Sequence, residues 1–241
     1  MIENCNSFID YIQSGFQSVE GWATPQAFEA LKLIRAFQLE HGISGGAAEI
    51  GVHHGRFFIG LDNCLNAGEL SLAIDVFDNQ ADNIDYSGRG SYEKFLENIS
   101  LHGRGKDSLR VMARDSMGLT IKDLYEIQQE HGSFRLFSID GGHTAEHTVN
   151  DLRIAEQLSA ASGVVFVDDY LNRHWPGVHE GVCRHYILST PRFVPFAYCH
   201  DKLLLTSLTW HKRYLDYFVR YCAQGDNFKL VEIFGYKVAV M

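Results

Sequence analysis

Short, continuous apolar runs alternate with stretches of helical periodicity along most of this chain. Residues 47–52, 70–76, 109–113, 134–139 and 163–167 are each dominated by Ala, Val, Ile, Leu or Phe. A strand buried on both faces carries apolar side chains at successive positions, so these runs predict a mostly parallel sheet. Between them, residues 57–66, 92–102, 121–131 and 145–160 show helical spacing, which makes them crossover helices. Further on, 178–188 and 210–222 predict helices, 193–198 and 202–206 an antiparallel pair, and 228–240 is apolar enough to finish the sheet. The fold class is α/β, with helices on both faces.

The first forty residues have a different character. Thr24-Pro25 is an N-cap followed by proline at the first helical position, and Phe28, Leu31, Ile34 and Phe37 recur every three residues until Gly42. Residues 8–16 predict another short helix, and 18–22 a linker. The expected organisation is one domain, 1–241: an N-terminal helical element over 1–44 placed as a lid, a core over 45–190, and C-terminal strands and a helix over 191–241.

Composition narrows the function classes. A hydrophobic content of 46% in 241 residues supports one substantial core. Acidic residues outnumber Lys and Arg 30 to 21, for a net charge of −9, so no nucleic-acid partner is expected. Five cysteines, with no Cys-x-x-Cys pair, fit reduced thiols and a cytoplasmic location. No apolar run approaches the roughly 20 residues of a membrane span, so no membrane association is expected. A homodimer is the default assembly.

The chemistry concentrates where apolar runs end in carboxylates: Ser138-Ile139-Asp140-Gly141-Gly142-His143 and Val164-Val165-Phe166-Val167-Asp168-Asp169. Ligands of open α/β sheets bind beyond the carboxyl ends of the strands, so both tips belong at one rim. Asp140, Asp168 and Asp169 together would repel one another unless a cation compensates, and a hard divalent metal is the economical one. The structural alternative is that Asp168 or Asp169 caps a turn and Asp140 starts the next helix. For His143 the alternatives are a general base and a helix-terminal histidine bonded to backbone.

Upstream, Ala48-Glu49-Ile50-Gly51-Val52-His53-His54-Gly55 places glycines at a strand-to-helix turn, where backbone approaches a ligand closely or simply turns tightly. His53 occupies the second glycine position of a dinucleotide fingerprint, which speaks against nicotinamide. Asp75, ending the second strand, suits either a ribose diol or a cap. Glu49, inside a strand, is costly to bury without a partner, and a cationic ligand group would serve.

Glu49-x-Gly51-x-x-x-Gly55, Asp75, Asp115-Ser116, Asp140 and Asp168-Asp169, in this order, resemble the class I S-adenosylmethionine-dependent methyltransferases over roughly residues 45–190. More narrowly, Asp-Gly-Gly-His, Gly-Val-Val-Phe-Val-Asp-Asp and Trp175-Pro176-Gly177-Val178 are similar to the metal-dependent O-methyltransferases acting on sugars of macrolide and aminocoumarin natural products. The resemblance implies a Rossmann-like fold with a mostly parallel seven-stranded sheet. It implies that Glu49, Gly51, Val52 and Gly55 surround the methionine part of S-adenosylmethionine. Asp75 would hold the ribose, and Asp115 and Ser116 would lie beside the adenine. Asp140, Asp168 and Asp169 would bind Mg²⁺, with His143 or Asp140 as the base. The substrate would be a small hydroxylated acceptor.

Two other functions compete: a nicotinamide-dependent oxidoreductase on a similar sheet, and a non-catalytic S-adenosylmethionine-binding subunit. His174 and Trp175 are candidates for the acceptor pocket. Tyr214, Tyr217, Phe218 and Tyr221 recur at helical spacing as a core or subunit-contact stripe.

Overall fold

Every apolar run of the first 170 residues forms a strand. In the computed structural model, which describes residues 3–222 and 228–241, β1 (Gly46–Ile50), β2 (Ser71–Asp75), β3 (Leu109–Ala113), β4 (Phe134–Ile139) and β5 (Ser159–Val167) pair in parallel. The antiparallel hairpin of β6 (Phe193–Cys199) and β7 (Lys202–Ser207) follows, with β7 against β5. A second hairpin, β8 (Lys229–Ile233) and β9 (Tyr236–Val240), attaches through β9 to β6. The strand order is β3-β2-β1-β4-β5-β7-β6-β9-β8.

Among the described residues the sheet therefore has nine strands where seven were expected. The extra pair arises because the apolar run at 228–240 is folded back at Phe234 and Gly235, with φ of 51° and 81°. Two consecutive left-handed residues make the tight turn whose twist suits a hairpin. Other boundaries moved less. The helix expected at 145–160 ends at Leu158, and β5 begins at Ser159 rather than at 163.

The helices are α1 (Glu3–Gln13), α2 (Pro25–Glu40), α3 (Arg56–Asn63), α4 (Tyr92–His102), α5 (Ile121–His131), α6 (Ala145–Leu158), α7 (Pro176–Leu188) and α8 (Leu208–Cys222). One face of the sheet is buried under Phe8, Phe28, Phe37, Phe58, Phe95 and Phe218, from α1 to α4 and α8. The other lies under Leu124, Ile127, Leu152, Ala155 and Val182 of α5, α6 and α7. Thr24 caps α2 by accepting from the Ala27 N–H, and Pro25 opens it, as the sequence predicts.

The N-terminal helices belong to this core. Phe16 packs on Phe28 with ring centroids 4.8 Å apart, and the Tyr11 hydroxyl donates to the Arg56 carbonyl at 2.7 Å. The short helix expected over 8–16 is the second part of α1, which ends at Gln13, followed by a 3-10 turn, Gly15–Ser18, that takes in only the first residue of the expected linker. Tyr214, Tyr217 and Phe218 are buried core and Tyr221 is exposed, which settles most of that stripe as packing. Cys64, Cys183, Cys199 and Cys222 are free thiols, while the side chain of Cys5 lies outside the described residues. No described helix is long and apolar enough to cross a membrane.

Strand register is what aligns the rim. The parallel ladder runs one residue past the strands: the Gly51 N–H donates to Ile74 O (2.9 Å), Asp140 N–H to Ile50 O (2.8 Å), and Asp168 N–H to Ile139 O (3.0 Å). Gly51 has φ of +83°, and a Cβ there would lie 1.8 Å from the Asp140 carbonyl oxygen. Only glycine allows β1 and β4 to close this tightly at their ends. Gly51→Ala is expected to destabilise the protein by at least about 3 kcal/mol, from backbone strain plus overpacking, as measured by urea unfolding.

Candidate active site

A cavity of about 580 Å³ lies beyond the carboxyl ends of the parallel strands. Its walls include Gly51, Asp75, Asp115 and Ser116 on one side and Asp140, His143, Asp168, Asp169 and Lys202 on the other, with Trp22 and Trp175 among the aromatic lining. The size is that of an ordinary small-molecule site. Between β1 and β4 the strand order reverses, and such a switch point is where doubly wound sheets bind ligands.

On the glycine-turn side, the Asp75 carboxylate organises backbone. Its Oδ2 accepts the N–H groups of Val52 (2.6 Å) and His53 (2.8 Å), and its Oδ1 that of Phe77. Burial raises the Asp75 pKa against the opposing pull of these amides. His53, at the position a dinucleotide fingerprint reserves for glycine, adopts φ of +53°. Glu49, Val52 and Gly55 stand outside the cavity wall. The Val52 N–H is taken by Asp75, and Gly55, at φ of +90°, precedes α3 where a Cβ would meet the Phe95 ring at 2.9 Å. Glu49 is 2% exposed. Burial first, then the charge of Asp140, pushes its pKa well up.

Asp115 caps a short 3-10 turn, Ser116–Gly118, by accepting the Met117 N–H at 3.0 Å. Behind it, Asp151 of α6 is buried beside Ser116 and accepts from the Asn150 side chain.

On the acidic side, His143 is surrounded by carboxylates. Its Nε2 lies 3.0 Å from Asp169 Oδ2 and 3.8 Å from Asp140 Oδ1, and its Nδ1 2.7 Å from Asp85 Oδ2. Trp175 stacks on the ring at 4.3 Å and 20°. Burial disfavours the imidazolium, but the carboxylates of Asp140, Asp169 and Asp85 outweigh it and push the pKa up to about 11. Asp140 is pushed up to about 7, by burial and then by Asp168. Asp169 turns inward from a left-handed backbone position, φ +56°, and accepts from Asn172 at 2.7 Å. Burial opposes its ionisation, yet the His143 hydrogen bond holds its pKa below the ordinary value.

The donor atoms of Asp140, His143 and Asp169 lie within 4.8 Å of one another. Asp168 is at the same rim but otherwise engaged: its Oδ2 binds the Lys202 ammonium and its Oδ1 accepts the Asp169 N–H. The sequence reading missed Lys202 and Asp85. Lys202 carries a faint signal, a lone cation at the head of the apolar run Leu203-Leu204-Leu205. Of the two pocket candidates, Trp175 lines the cavity and His174 does not.

A doubly wound sheet of order 3-2-1-4-5 followed by an antiparallel 7-6 hairpin, with a glycine turn and acidic strand tips at its switch point, defines a class I methyltransferase architecture. A methyltransferase domain family model matches residues 48–170, more than half of the chain, and the chain belongs to that family. It is an S-adenosylmethionine-dependent methyltransferase. Among solved structures, the O-methyltransferase NovP superposes with a TM-score of 0.63 at 14% identity, over 76% of this chain and 80% of that one. An O-methyltransferase from Bacillus cereus, in complex with S-adenosylhomocysteine, gives 0.53 at 18% identity over 83% and 89%. CalS11, a TDP-rhamnose 3'-O-methyltransferase of calicheamicin biosynthesis, gives 0.55 at 15% over 86% and 95%. No curated protein matches the sequence.

Burial pushes the Asp151 pKa up to about 7. The sign follows: the folded state holds this proton more tightly than the unfolded chain, where the pKa is about 3.9. The stabilisation is present below about pH 4 and lost as pH rises through about 7. Asp151→Asn is expected to flatten that part of the stability–pH curve by up to about 4 kcal/mol, read from urea titrations at successive pH values.

Proposed function

We propose that the protein methylates a hydroxyl of a small molecule, such as a sugar or glycosylated natural product, with a divalent cation, Mg²⁺, assisting. The observation that carries this reading is the convergence of Asp140, His143 and Asp169 in a cavity that Asp115 and Ser116 also line. That CalS11 acts on a nucleotide-linked sugar and NovP is an O-methyltransferase supports the same choice of acceptor atom. The family assignment removes the nicotinamide-dependent alternative.

The residues present fit a hard cation. Two carboxylates converge at the rim, and burial with neighbouring negative charge already pushes Asp140 up to about 7, so the cluster lacks positive charge. Asp140 and Asp169 would hold the ion, with Asp168 alongside. When bound, it would neutralise the carboxylates that keep His143 protonated and lower the pKa of an acceptor hydroxyl.

The chain's own residues then align and deprotonate. The glycine turn, its amides tied to Asp75, shapes the donor side, with Asp75 beside the ribose and Asp115 and Ser116 beside the adenine. The acceptor oxygen's lone pair forms the new C–O bond as the methyl–sulfur bond breaks, and that electron pair stays on sulfur. His143 Nε2, free to accept only where the carboxylates beside it are neutralised and the ring has lost its own proton, would receive the hydroxyl proton, in a geometry where alignment supplies much of the acceleration. Trp175, stacked on His143, gives the acceptor an apolar face.

Release of S-adenosylhomocysteine with a panel of sugar and glycoside acceptors tests the assignment. His143→Ala is expected to lower kcat by about 10²- to 10⁴-fold, with the donor KM changed far less. EDTA should stop turnover and Mg²⁺ restore it. Full activity in EDTA would remove the metal from the reading, and full activity of His143→Ala would remove the base.

A further inference from the structure

Asp85 lies in the segment between β2 and α4, 58 residues before the histidine it contacts. Its two oxygens do different work. Oδ1 accepts the Ser87 N–H at 2.9 Å, closing a local turn around Tyr86, whose φ is +58°. Oδ2 accepts two N–H groups of one residue, the His143 backbone amide at 2.6 Å and the His143 ring Nδ1–H at 2.7 Å. Both side chains are nine-tenths buried or close to it, at 10% and 9% exposure. The same segment supplies Asp82, Asn83, Ile84, Tyr86, Ser87 and Gly88 to the cavity wall.

A carboxylate oxygen that accepts from both ends of one histidine fixes the ring's rotation and leaves the other nitrogen pointing away. Here that nitrogen is Nε2, which faces Asp169 and Asp140. We propose that Asp85 is the positioning residue for His143, latching the 78–90 segment over the cavity and aiming Nε2 at the acceptor. The inference rests on the methyltransferase reading of the site. It makes the cofactor side and the acceptor side mutually dependent: closing the segment orients the base, and the base holds the segment closed.

A double-mutant cycle on the full-length protein tests it, with S-adenosylhomocysteine affinity from calorimetry as the readout. Asp85→Ala and His143→Ala are each expected to weaken binding about tenfold, and the double variant no more than either alone, since both remove one shared contact. Asp85→Ala should also lower kcat about tenfold or more while leaving the acceptor KM within about twofold, because orientation is lost and not acceptor binding. Asp85→Asn, uncharged, keeps one oxygen for the two His143 N–H groups and loses the Ser87 contact, so it should recover part of the affinity, and it serves where alanine disturbs folding. Additive effects in the cycle, or an Asp85→Ala enzyme with unchanged affinity and kcat, would overturn the proposal with the methyltransferase reading intact. A wild-type protein that binds neither S-adenosylmethionine nor S-adenosylhomocysteine would overturn both.

Discussion

The parallel register of β1, β4 and β5 is the constraint from which the site follows. Backbone hydrogen bonds continue one residue beyond the strand ends, so Gly51, Asp140 and Asp168 stand side by side although 117 residues separate the first from the last. Neighbouring strands lie about 4.7–4.9 Å apart, a spacing that puts carboxylates on adjacent tips within strong Coulomb reach. A slip of one residue would turn each side chain to the other face of the sheet. Electrostatic crowding at the rim is therefore a property of the fold.

The compensating charge is delivered by the same means. Leu203 of β7 pairs with Val167, so the residue before it, Lys202, meets the residue after Val167, Asp168. The Lys202 ammonium also sits 4.4 Å from the Phe57 ring centroid, an arrangement favoured where water is excluded. Burial disfavours its charge, but Asp168 and Asp140 more than offset this and raise its pKa. With Lys202 committed to Asp168, Asp140 and Asp169 are left with His143 as their cationic neighbour.

What could be read from the sequence was whatever strand periodicity controls. The five parallel strands were legible because each is a continuous apolar run, and the acidic tips because they end such runs. The C-terminal hairpin was hidden because Phe234 carries no turn signal and Gly235 stands alone in an apolar stretch. Lys202 was visible as a residue but not as a partner, since its role depends on an antiparallel register that local pattern does not specify. Asp85 is one of three aspartates between 78 and 85, and only the long-range contact to His143 separates it from Asp78 and Asp82. Asp75 was placed correctly at a strand end, yet its dependence on the amides of Val52 and His53 required the turn's conformation.

The remaining imbalance says which ligands the cavity favours. Among the described residues, His143 and Lys202 are the cations in contact with the carboxylates of Asp85, Asp168 and Asp169, and the pKa values of the buried Glu49 and Asp140 beside them are pushed up. Protonation relieves the deficit in the free protein, and a positively charged ligand can relieve it instead. A unit charge about 8 Å from a net negative charge gains about 2 kcal/mol at an effective dielectric of about 20. S-adenosylmethionine carries a positive sulfonium, and its product carries a neutral sulfur. On the proposed placement of the donor beside this rim, that attraction weakens when the methyl group leaves, to the extent that a bound cation has not already neutralised the carboxylates.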